Sequence, residues 1–204
     1  MNKKDSIALG LIFFLTPLIL LICIAPFSNR ALMGEIKTMT PVEVLLTREI
    51  SPEGIVTQTI DASQNKWVYL NFRNGILPPP DGEKPKEIRW DLAFQRKRII
   101  SNSPPITSNG DVGVINTGVK DFTADFTLPD RTFVKNTVQK GKIINPAIDH
   151  WYDYDFMKHS LTPKEEIYLV RSTEQKVVKM KIESYYCGSE NIPACYTLRF
   201  AWLP

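Results

Sequence analysis

Residues 150–186, HWYDYDFMKHSLTPKEEIYLVRSTEQKVVKMKIESYY, decide how the chain folds. Val178, Met180 and Ile182 alternate with Lys179, Lys181 and Glu183, the period-two pattern of a strand with one buried face and one wet face. Upstream, aromatic and acidic residues alternate from His150 to Phe156. A polar turn is expected at 160–164, where Pro163 fixes its own φ and pushes Thr162 away from helix. The stretch reads as an antiparallel β-meander that carries a titratable, metal-capable loop. It holds both histidines of the protein, His150 and His159.

Working outward, short strand-like runs follow one another at 42–46, 55–60, 66–72, 88–94 and 97–101. Turn signals separate them: Pro52-Glu53-Gly54, Asn74-Gly75, the Pro78-Pro79-Pro80-Asp81-Gly82 cluster and Ser103-Pro104-Pro105. The last run places Tyr196, Leu198, Phe200 and Trp202 on one face and Thr197, Arg199 and Ala201 on the other. Many short strands without a long helical period mean an all-β domain of antiparallel sheets. Residues 108–146 are the least regular and are expected as long loops or irregular strands that project from the sheet core.

The N-terminus differs. Residues 7–25 are nineteen positions without a charge, about 28 Å as a helix, which matches the hydrocarbon thickness of a bilayer. Lys3 and Lys4 precede the run, so the positive-inside rule keeps the N-terminus in the cytoplasm. The expected organisation is a cytoplasmic 1–6, a transmembrane signal anchor at 7–26, a linker at 27–40 and the β-domain at 41–204. The expected location is therefore a single-pass membrane protein whose C-terminal domain lies in the periplasm or outside the cell. Leu20, Leu21 and Ile22 precede Cys23 in place of the small residues of a lipoprotein signal. A cleaved or lipidated segment is the competing reading.

A net charge of +3 with no basic face argues against nucleic acid as a partner. Cys187 and Cys195 bracket a polar loop between two strand-like runs and suit a hairpin disulfide in an oxidising compartment. With no second Cys or His pair nearby they do not make a zinc site. There is no nucleophile elbow, no HExxH and no Gly-rich phosphate loop, so binding is expected of this chain and catalysis is not.

Three groups of motifs then resemble the HmuY haem-binding protein family. They are Thr59-Ile60-Asp61-Ala62-Ser63; Lys66-Trp67-Val68-Tyr69-Leu70-Asn71-Phe72 with Asn74-Gly75; and Arg89-Trp90-Asp91-Leu92-Ala93-Phe94-Gln95-Arg96. Trp151-Tyr152-Asp153-Tyr154, Thr162-Pro163-Lys164, Ile167-Tyr168-Leu169-Val170-Arg171 and the run from Val178 to Tyr186 are similar to its C-terminal half, in the same order. The resemblance covers about residues 41–204, and Trp-Asp-Leu-Ala-Phe is its most specific part. It implies a β-rich fold whose projecting loops grip haem between two axial side chains on a lipid-anchored surface protein. In the loop after the Trp-aromatic motif this chain offers Met157 and His159, whereas residues 116–145 contain no His and no Met.

The candidate site follows. His159 is the first candidate for the haem iron, with His150 or Met157 opposite it, since a neutral imidazole or a thioether can ligate iron. Trp151 and Tyr154 offer stacking surface for a porphyrin. Each has a plainer reading: an exposed turn histidine, a strand-end histidine, an apolar methionine plug, core aromatics. Asp149, Asp153 and Asp155 lack the glycine turn and terminal glutamate of a calcium loop. Two functions remain open, a membrane-anchored haem-binding protein and a haem-free accessory subunit that contacts other membrane proteins.

Overall fold

The computed structural model describes residues 47–79, 89–127 and 132–204. The expected anchor at 7–26, its flanks at 1–6 and 27–40, and the expected strand at 42–46 lie outside the described residues. Among the described residues no helix is long and apolar enough to cross a membrane, and every regular element is a strand.

The strands are β1 (Arg48–Ile50), β2 (Val56–Asp61), β3 (Val68–Asn71), β4 (Gly75–Leu77), β5 (Leu92–Gln95), β6 (Arg98–Ser101) and β7 (Gly113–Asn116). They continue as β8 (Thr137–Gln139), β9 (Lys142–Ile144), β10 (Tyr152–Asp155), β11 (Ser160–Pro163), β12 (Ile167–Arg171), β13 (Val177–Cys187) and β14 (Ile192–Trp202). A six-stranded sheet runs β1-β2-β14-β13-β12-β7 and a four-stranded sheet runs β4-β3-β5-β6. The hairpins β8–β9 and β10–β11 stand apart as two-stranded sheets. All pairings are antiparallel.

The two larger sheets face each other across one core. Ile60, Val178, Met180, Ile182, Leu198 and Phe200 of the first meet Leu70, Leu92, Phe94 and Ile99 of the second. Edge-to-face rings knit the layers, with Phe72 against Phe200 and Phe94 tilted on Tyr196, both at 5.1 Å. Val178, Met180 and Ile182 are buried as their alternation requires, while Glu183 faces water.

Three expectations are corrected. The polar turn expected at 160–164 is displaced: Ser160–Pro163 is strand β11 and the turn is 156–159. Asp155 accepts from the backbone N–H of Met157 and of Lys158 at 2.9 and 3.0 Å, which closes the earlier turn. Pro163 pairs only with β10 in a two-stranded sheet, where its missing N–H breaks no inner ladder. The strand expected to begin at residue 88 begins at Leu92, and just before it Asp91 N–H donates to Leu70 O while Asp91 O accepts from Asn102 N–H. The segment expected to project does not simply do so: within it Phe122, Phe126 and Phe133 cover the outer face of the six-stranded sheet. That face carries Ile115, Ile167, Leu169, Val177 and Ala201, an apolar surface that water would otherwise meet.

Polar bonds hold β5 at both ends. At its start, Asp91 Oδ2 accepts from Phe72 N–H at 2.8 Å, and Oδ1 accepts from Thr173 N–H and Oγ1–H at 2.7 and 2.9 Å. Burial pushes this carboxyl up from its ordinary range, against the pull of those donors. At its end, Tyr196 Oη–H donates to Arg96 O at 2.6 Å, and Trp151 Nε1–H donates to Lys97 O at 3.0 Å. Asp91→Asn would point an amide N–H at the Phe72 N–H, leaving a buried donor without an acceptor. The expected loss is about 1–3 kcal/mol, read as a lower urea midpoint with an unchanged m-value.

Cys187 and Cys195 form a disulfide with Cα atoms 5.4 Å apart. It closes a loop of sequence separation 8 at one end of the β13–β14 hairpin. Reduction, or the double change of both residues to Ser, is expected to cost about 2.5 kcal/mol on the loop-entropy account. Thiol labelling of the unreduced folded domain should find neither sulfur reactive.

Candidate ligand-binding hairpin

The β10–β11 hairpin has a buried base and a bare tip. At the base, Trp151 packs against Tyr152, Tyr185 and Tyr196 with ring centroids 5.0–5.4 Å apart, and Lys97 lies over Tyr152. Leu161 is buried in the main core, and its N–H donates to Tyr186 Oη at 2.8 Å. Lys164 N–H donates to Trp151 O and so closes the base.

At the tip, Phe156 is 75% exposed, Met157 88% and Tyr154 51%. His159 is exposed as well, on a backbone with φ of 50°. Tyr154 Oη lies 2.7 Å from His159 Nδ1. Phe156 completes an aromatic cluster, 5.9 Å from His159 and 6.4 Å from Tyr154 between ring centroids. With Nδ1 occupied by the phenol, Nε2 is the ring nitrogen left for a ligand. Large apolar side chains exposed together on one short turn are unusual unless they meet something.

The structure separates two of the sequence candidates, Trp151 and His150, from this tip. Trp151 is 1% exposed and serves as a clamp between sheets, so it presents no face to a porphyrin. His150 is exposed in the turn before β10 and lines a shallow cleft of about 310 Å³ with Val138, Ile144 and Asp149. It sits at the base of the hairpin and His159 at the tip, roughly 15 Å apart along the strand direction. The two histidines therefore do not face each other across the strands of the hairpin. Met157 springs from the same four-residue turn as His159 and stays at the tip. Among the described residues no three His, Cys, Asp or Glu side chains converge to hold a free metal ion.

The Tyr154–His159 bond and the Asp155 turn cap carry no pattern that the sequence displays. Both depend on which residues fall in the turn, and a one-residue shift in register would undo them. A polar cleft of about 440 Å³ lies elsewhere, between Arg89, Asn102, Thr107, Asp111, Thr173 and Gln175. Its polar groups mainly satisfy one another or the adjoining chain: Thr107 Oγ1–H donates to Asn102 Oδ1, and Asn102 Nδ2–H to Trp90 O. Asp111 pairs with Lys135 and Arg171, and Lys135 in particular holds its carboxyl below the usual range.

Residues 63–200 match the HmuY protein family. The chain belongs to that family. The apo HmuY analogue of Tannerella forsythia has a similar fold, with 15% identity over 79% of this chain and 99% of that one and a TM-score of 0.58. A Bacteroides vulgatus protein described as HmuY-like and heme-binding has 19% identity over 78% and 96% of the two chains, with a TM-score of 0.57. The apo PinO structure gives a TM-score of 0.55 at 12% identity, over 74% of this chain and 97% of that chain. No curated protein matches. The motif Trp90-Asp91-Leu92-Ala93-Phe94 falls inside the matched range and has a physical reading here. Asp91 bonds the sheets together, Leu92 and Phe94 enter the shared core, and Trp90 and Ala93 face the smaller outer cluster.

Since His159 occupies a left-handed position that Asn also tolerates, His159→Asn should keep the turn. Its unfolding free energy is expected to stay within about 0.5 kcal/mol of wild type, measured by urea titration. A large loss would assign the imidazole to the fold and remove it as a ligand candidate.

Proposed function

We propose that the domain binds haem or a related tetrapyrrole at the tip of the β10–β11 hairpin, where His159 Nε2 would be a ligand to the iron. The observation that carries this reading is an exposed imidazole, tied at Nδ1 to Tyr154 and flanked by the exposed side chains of Phe156 and Met157. Haem iron, when bound, supplies a Lewis-acidic centre for that lone pair. Phe156 and Met157 offer the apolar contact a macrocycle needs, and each loses surface to water on binding. Membership of the HmuY family and the likeness to a fold described as heme-binding support the same choice. The role proposed for the domain is binding, without a catalysed reaction.

The apolar run at 7–26 would hold the domain outside the cytoplasm in this proposal. The Cys187–Cys195 disulfide supports an oxidising location.

Hemin titrated into the purified domain is expected to give a saturable Soret band. His159→Asn should abolish or strongly shift it. His150→Ala should leave it unchanged, because that ring is at the far end of the hairpin, and Met157→Ala should weaken binding without changing the spectrum. A His150-dependent band would move the site to the β8–β9 cleft. A wild-type domain with no saturable uptake would favour the accessory-subunit reading, in which the same exposed tip contacts a protein.

A further inference from the structure

We infer that Tyr154 is a positioning residue for iron ligation by His159 and biases that ligation toward ferric haem; this rests on the tetrapyrrole reading above. The two residues are five apart in sequence but share one short hydrogen bond, Oη to Nδ1 at 2.7 Å. Tyr154 belongs to strand β10, paired with Leu161 of β11, so its backbone is held by the ladder. His159 sits in the turn, where an exposed ring would otherwise exchange rotamers on the picosecond to nanosecond scale. The phenol is the only hydrogen-bond partner of the His159 side chain among the described residues.

A phenol hydroxyl can donate or accept. With the imidazole free, Tyr154 O–H can donate to the Nδ1 lone pair. When Nε2 gives its lone pair to iron, Nδ1 carries the ring proton and donates to Oη. The bond thus survives ligation with no more than a rotation of the hydroxyl. Donation from Nδ1–H leaves more negative charge on the ring and makes Nε2 the stronger base. A more basic ligand stabilises the higher iron charge, so the ferric form gains more than the ferrous one.

Tyr154→Phe keeps the ring and removes only the oxygen. In the haem-free domain, the Hα–Hβ couplings of His159 should report one rotamer in wild type and an average in Tyr154→Phe. Ferric haem should bind Tyr154→Phe about tenfold more weakly, with a smaller loss for ferrous haem and a correspondingly higher midpoint potential. The Soret band should persist in that variant and vanish in His159→Asn. If wild type binds haem and Tyr154→Phe matches it in couplings, affinity and potential, the inference is overturned while the tetrapyrrole site stands. If wild type takes up no haem, the site itself falls and the ferric bias falls with it.

Discussion

The fold depends on two sheets being fastened at both ends of one short strand. β5 contributes only four residues, yet Asp91 before it and the Arg96-Lys97 turn after it bind groups far away in the chain. Apolar contact alone presses the sheets together without fixing how they slide. Directional bonds from Thr173, Tyr196 and Trp151 fix the position. A buried carboxylate is tolerable there because three donors converge on it, which offsets much of the cost of taking its charge out of water.

The same fastening gives the hairpin its contrast between base and tip. Trp151 and Leu161 are committed to the core, so β10 and β11 leave the body at a set angle. What remains beyond them is short enough to be specified by local bonds: Asp155 caps the turn, and Tyr154 meets His159. Local bonds of this kind reduce the side-chain freedom a hairpin tip would lose on meeting another molecule. The outer face of the six-stranded sheet is handled differently. Lys179 Nζ donates to Phe122 O at 2.9 Å, and Arg199 lies over the Phe122 ring. The charged residues of β13 and β14 thereby help to pin an aromatic cover rather than simply facing water.

The period-two runs determined by themselves that the described domain is all-β and which faces of β13 and β14 are buried. The placement of Cys187 and Cys195 on either side of a polar loop marked the disulfide. These are legible because alternation, turn residues and short loops are local, and locality is what sequence records. Tertiary structure alone decided that Trp151 is a clamp, that the turn falls at 156–159, that His150 and His159 lie at opposite ends of one hairpin, and that Tyr154 meets His159. Alternation says which face a residue takes but not which strand lies beside it. The pairing partner and its register are set by long-range bonds, and a shift of one residue would turn every side chain of the hairpin to its other face.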